Sequence, residues 1–196
     1  MHHLNLNIET VYPGAEMLPA ERLKLFQWVT EIIKPVNDVL EIGCGVGGST
    51  YYISESIKSI NSPSIIHACD PGRKPTNQFL QNHPNVNYKQ IYSSDLISEI
   101  INNKVQLDYL FFDGPENPNI AWHDIQKLEK YIQPGCYFSM HDWEIEKRKY
   151  DNATSTKAKY IRPYLEQSTL WELIDSMEGI NSSESVGFCL YKFLGK

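Results

Sequence analysis

Twelve residues constrain this chain more than any others: Val39-Leu40-Glu41-Ile42-Gly43-Cys44-Gly45-Val46-Gly47-Gly48-Ser49-Thr50. A short apolar run carrying one acid leads into four glycines within six positions, and two hydroxyl residues follow. Ile53, Ile57 and Ile60 then recur at the i, i+4, i+7 spacing of a helix that buries one face. The stretch therefore reads as strand, tight turn and helix. Its glycines allow positive φ and leave bare backbone for a ligand to lie against. The helix start offers unpaired N–H groups at its positive end. Such a turn is a cradle for a small molecule.

Two fingerprints fit it. Gly43-x-Gly45-x-x-Gly48 matches the dinucleotide pattern, with Asp70 as a possible ribose acid, and would make the chain a nicotinamide-dependent oxidoreductase. Glu41-x-Gly43-x-Gly45-x-Gly47 closely resembles the first motif of class I S-adenosylmethionine (SAM) methyltransferases. Charge favours the second. A carboxylate two residues before the turn would repel a pyrophosphate, whereas the ammonium and sulfonium of SAM both suit Glu41.

The rest of the chain alternates strand and helix. Apolar runs predict strands at 39–42, 64–70, 86–92, 107–113 and 136–140, separated by helical spacing near 19–33 (with Leu25, Val29, Ile32 and Ile33 as the buried stripe), 50–60, 75–82, 95–101 and 121–132. That alternation implies a parallel sheet with right-handed crossovers. A further helix at 157–166 precedes two strands, 170–175 and 186–193, joined by the polar Asn181-Ser182-Ser183. A terminal hairpin on a parallel sheet again resembles the class I methyltransferases. The expected fold is α/β and Rossmann-like, a mostly parallel seven-stranded sheet with a C-terminal antiparallel hairpin and helices on both faces. One domain spanning 1–196 is expected, with 1–18 as an N-terminal arm and 143–156 as a lid.

Net charge of −6 argues against a nucleic-acid partner, because phosphate contacts need clustered Lys and Arg. Cys44, Cys69, Cys136 and Cys189 show neither a C-x-x-C pair nor zinc spacing, so buried thiols in a reducing cytoplasm are expected. No run has the length of a membrane span or the apolar core of a signal peptide. A cytoplasmic protein without membrane partners, and a possible homo-oligomer, is the expectation.

Open α/β sheets bind ligands beyond the carboxyl ends of their strands. Glu41, Asp70, Asp113 and His141-Asp142 all fall there. With SAM as ligand, the backbone of Gly43, Gly45 and Gly47 would face methionine and ribose, with Ser49 and Thr50 at the helix start and Glu41 near the amino group. Asp70 would accept both ribose hydroxyls. Ser94 and Asp95 would contact adenine, or else cap the next helix.

From Asp113 to Asp142 the chain resembles a narrower family, the macrocin-type small-molecule O-methyltransferases that act on sugars. Its pattern is D-G-D-H-S-Y, a helix carrying an Asp, P-G-G, and a strand ending in H-D. Here stand Asp113-Gly114-Pro115-Glu116-Asn117-Pro118, Asp124, Pro134-Gly135-Cys136 and His141-Asp142. The resemblance implies a divalent cation, usually magnesium, on Asp113 and Asp142, lowering the pKa of an acceptor hydroxyl. It also places Asp113 beside the methyl donor. Asp113, Glu116 or His141 would take the proton. Pro115-Glu116 replaces the family's Asp-His, so either Glu116 substitutes for the histidine or metal dependence is lost. Tyr12, Trp122, Trp143 and Tyr150 are candidate walls for an acceptor, with core packing as the default. The expected function is SAM-dependent O-methylation of a small hydroxylated acceptor, a sugar ahead of a phenol. The alternatives are a metal-independent methyltransferase, an oxidoreductase, or a SAM-binding protein without catalysis.

Overall fold

The computed structural model describes residues 17–143, 157–179 and 187–195. Its centre is β1 (Asp38–Ile42), whose last four residues are all buried. Around it lie β2 (Ile66–Cys69), β3 (Val86–Lys89), β4 (Leu107–Phe112), β5 (Tyr137–His141), β6 (Trp171–Met177) and β7 (Phe188–Phe193), in the order β3-β2-β1-β4-β5-β7-β6. The first five strands are parallel, and β7 runs antiparallel to both β5 and β6. β1 and β4 read as near-continuous apolar runs because helices cover both faces there. At the sheet edge β6 is polar and half-exposed, with Leu173 in water.

Side-chain alternation along the strands divides the core in two. Val39 and Phe111 pack with Leu25, Trp28, Ile53 and Ile57, beneath α1 (Pro19–Gln27) and α2 (Gly48–Ser59). Leu40, Ile42 and Phe112 face α4 (Ser93–Asn102), α5 (Pro118–Glu129) and α6 (Ala158–Gln167), meeting Ile97, Ile125 and Ile161. Each such buried aliphatic side chain stabilises the fold by about 1.5–3 kcal/mol. The short α3 (Asn77–Asn82) begins later than the expected 75, because Thr76 caps it by accepting the Phe79 N–H at 3.1 Å.

Two local departures from the sequence expectation have clear causes. After Gln27 the first helix widens into a π-helical turn, Trp28–Ile33, closed by Lys34 N–H donating to Val29 O at 2.9 Å. The added residue per turn rotates Ile32 off the buried stripe, leaving it 37% exposed. The third strand stops at Lys89, since Ser93 already begins α4. All four cysteines are buried free thiols. Among the described residues no helix is long and apolar enough to cross a membrane. The expected N-terminal arm (through residue 16), the lid from 144 to 156 and the 181–183 loop lie outside the described residues.

The chain runs from β1 through β2 to β3 at one edge and then returns to lay β4 on the other flank of β1, so the strand order reverses there. A crevice beyond the carboxyl end of β1 follows from that topology.

Candidate active site

The glycine turn opens this crevice. Gly43 has φ +84°, and a Cβ built on it would sit 2.3 Å from the Asp113 carbonyl oxygen, so the ends of β1 and β4 touch backbone to backbone. Gly45 differs: at φ +53°, its Cβ would meet nothing within 4 Å. One glycine serves packing and the other leaves room. The turn's N–H groups are already engaged. Gly43 and Cys44 donate to Cys69 O (2.9 and 3.1 Å), and Gly47 donates to Cys44 O at 2.8 Å. Gly45 donates to Asp70 Oδ2 at 3.1 Å. The other oxygen of Asp70 accepts from Gly72 and Arg73 (2.8 and 2.7 Å). Asp70 thus ties the turn to the loop after β2, and Oδ2 keeps one lone pair for a ligand hydroxyl. Engaged amides around a carboxylate make a poor seat for a pyrophosphate.

Glu41 lies beneath the turn, fully buried. Ser49 Oγ donates to its Oε1, while Oε2 has no hydrogen-bond partner. Burial pushes this carboxyl up to about 7, against the pull of the Ser49 bond. Thr50 is buried in the same first turn of α2. An orphaned acceptor of this kind suits a cationic ligand group.

A cavity of about 450 Å³ spans the crevice. Gly43, Gly45 and Asp70 lie on one side, Tyr92 and Ser93 on another, and Asp113, Glu116, His141 and Asp142 line the remainder. Ser93 is held by donating to Asp124 Oδ2 at 2.5 Å, which explains the buried aspartate of α5. Ser94 and Asp95 are not part of the lining; Asp95 is exposed and Ser94 O accepts from Ser98 Oγ. Glu41, Gly47, Ser49 and Thr50 also stand behind the cavity surface. Trp122 packs edge-on against Tyr164, and Trp143 is buried against Tyr191, so both serve the core. Tyr12 and Tyr150 lie outside the described residues.

The far side of the cavity is a charge network. Asp142 sits at φ +62°, a left-handed conformation that an aspartate tolerates and that turns its side chain out of strand register. His141 is buried, with Nε2 3.4 Å from Glu21 Oε2 and Nδ1 3.6 Å from both Asp113 Oδ1 and Asp142 Oδ1. Burial opposes its charge, but Asp113, Glu21 and Asp142 prevail and lift it to about 10, so the ring is an imidazolium at neutral pH. Lys157, fully buried one residue before α6, donates from Nζ to Asp113 Oδ1 (2.8 Å), Asp142 Oδ2 (2.9 Å) and Glu116 Oε1 (3.0 Å). Burial works against charge on both partners. The close pairing outweighs it, raising the lysine and, with His141, holding Asp113 well below the usual carboxylate range.

Asp113, His141 and Asp142 offer ligand atoms within 4.8 Å of one another, a donor set of the kind that magnesium or manganese takes. The Lys157 ammonium, however, already lies against both aspartates. A metal there would have to displace it, so the residues as arranged do not fit one.

Lys157 and Glu21 were not legible from the sequence. Lys157 follows a charged stretch without distinctive spacing. Glu21 stands 120 positions from His141, and only its place three residues after Leu18, whose N–H it accepts at 2.8 Å, marked it as a helix-start residue.

Residues 40–143, more than half of the chain, match a family model described as "Methyltransferase domain", and the chain belongs to that family. It is a methyltransferase. No curated protein sequence gives a significant match. Solved structures share the fold at low identity. The O-methyltransferase TomG from Streptomyces achromogenes, crystallised with SAM, superposes with a TM-score of 0.69 at 14% identity, covering 93% of this chain and 83% of its own. An O-methyltransferase from Bacillus cereus in complex with SAH gives 0.67 at 15% identity, covering 92% and 84%. The N-methyltransferase NodS from Bradyrhizobium japonicum gives 0.59 at 12% identity, covering 89% and 93%.

Proposed function

We propose that this enzyme transfers the SAM methyl group to a hydroxyl oxygen of a small acceptor, a sugar ahead of a phenol. The observation that carries this reading is the shared cavity: the glycine turn and the Asp113–Asp142 carboxylates line one space. A methyl donor on the turn would lie within reach of an acceptor held by those acids. Fold similarity alone does not choose oxygen, since TomG is an O-methyltransferase and NodS an N-methyltransferase.

In this scheme Gly43 and Gly45 border the donor, with Gly47 behind them in the turn, and the buried Glu41 carboxyl acts on the ammonium only as a charge beneath the turn, without touching it. Asp70 Oδ2 accepts a ribose hydroxyl, while Tyr92 and Ser93, rather than Ser94 and Asp95, meet the base. The acceptor oxygen attacks the methyl carbon as the carbon–sulfur bond breaks, and S-adenosylhomocysteine (SAH) departs. The sulfonium is already activated, so alignment of O, C and S and one proton acceptor suffice. His141 carries its own proton and acts as a donor that orients the aspartates. The hydroxyl proton therefore passes to Glu116, since Lys157 and His141 hold Asp113 well below the usual carboxylate range. Magnesium, implied by the macrocin-type resemblance, would bind Asp113 and Asp142, but Lys157 stands in its place.

The test is methyl transfer from labelled SAM to a panel of sugars and catechols, with Asp113→Ala as control. Label on a sugar hydroxyl, lost in the variant, supports the reading. SAH binding without transfer to any hydroxyl contradicts it.

A further inference from the structure

We infer that the Lys157 ammonium is the built-in cation of this site, standing among Asp113, Glu116 and Asp142 where a divalent metal would bind, so that methyl transfer proceeds without one. The inference rests on the reading of this cavity as the methyl-transfer site. An ammonium has three N–H donors, and Lys157 directs one to each of three carboxylates at 2.8–3.0 Å. No donor remains for an acceptor, so Lys157 is a positioning residue: it fixes the carboxylates and balances their charge.

Its place is built rather than incidental. The lysine is fully buried, and the helix it introduces is anchored in the core through Ala158, Ile161 and Leu165. Glu116, whose side chain is 56% exposed, supplies the third carboxylate from the loop after β4. It stands at the departure from the family motif, so this local difference in sequence and the lysine meet in space. A divalent ion bound to Asp113 and Asp142 at about 2.1 Å would fall within a few ångströms of Nζ, where two cations repel. The two occupants exclude each other.

The experiment titrates Mn2+ into the full-length wild type and into Lys157→Met, following free Mn2+ by electron paramagnetic resonance and thermal stability with and without the metal. The wild type should show no saturable binding up to about millimolar Mn2+, whereas Lys157→Met should bind at least about tenfold more tightly and gain thermal stability with the metal. Adding Asp113→Asn to Lys157→Met should abolish that gain. Lys157→Arg, which keeps the charge, should resemble the wild type. Micromolar Mn2+ binding by the wild type that Asp113→Asn removes would overturn the inference, as would a folded Lys157→Met that gains no affinity. Should Lys157→Met fail to fold, the wild-type titration still decides by the same criterion. Calorimetry with SAH is run in parallel. Failure to bind SAH counts against the functional reading, independently of the Mn2+ outcome.

Discussion

The two ends of the cavity are made in different ways. At the β1–β2 end the ligand would meet backbone, one carboxylate and a buried acid beneath the turn, from residues mostly contiguous between 41 and 50. At the β4–β5 end it would meet side chains drawn from two separate stretches, 113–116 and 141–142, with Glu21 and Lys157 packed behind them. The first end is fixed by local geometry. The second is fixed by mutual charge: Asp113, Asp142 and Glu116 hold together because an ammonium lies between them. A backbone-built half tolerates side-chain changes except where a Cβ collides, whereas a charge-built half fails when a single member is removed.

The largest expected effect is therefore at the charged end. Lys157→Met leaves the buried Asp142 and the half-buried Asp113 with the His141 imidazolium as their remaining counter-charge and should cost about 3 kcal/mol in chemical denaturation at neutral pH. A loss below about 1 kcal/mol would mean that charge does not hold this half together. The next effect lies beneath the turn. Glu41 is raised from its ordinary 4.5 to about 7, so between these values the folded state holds more protons than the unfolded one. Stability should then fall as pH rises from 4.5 through 7, by roughly 3 kcal/mol in all. Glu41→Gln should flatten that window. It should leave the separate fall produced by His141, also raised, whose stabilisation is fully present below 6.5 and is lost as pH rises toward about 10.

Glycine substitutions sharpen the contrast within the turn itself. Gly43→Ala should lose about 2–3 kcal/mol, since its Cβ meets the Asp113 backbone. Gly45→Ala should cost about 1 kcal/mol in stability, from positive φ alone, yet weaken SAH binding about tenfold by filling the cradle. Equal effects at the two positions would erase the distinction between packing and room. The smallest effects should come from Ser94→Ala and Asp95→Ala, each within about 0.5 kcal/mol in stability and less than twofold in SAH affinity by calorimetry.

The same contrast explains what could be read from sequence. The turn was legible because its glycines, acid and helix are neighbours in the chain. Strand order was legible because apolar runs alternate with helical spacing, and the hairpin from its position after the last helix. Ile32 was misplaced because a π-helical turn leaves no trace in hydrophobic spacing. Ser94 and Asp95 were set against the ligand by proximity to a strand end, but α4 presents Ser93 there instead. Lys157 was invisible because its role comes from packing α6 beneath the β4–β5 end, with the three acids 15 to 44 positions away.

One measurement bears most directly on what the crevice was built to hold: calorimetric titration of the wild-type protein with SAH and, separately, with NAD. Saturable binding of SAH at one site per chain, with no heat from NAD, is the predicted result. Binding of NAD without binding of SAH would contradict the account.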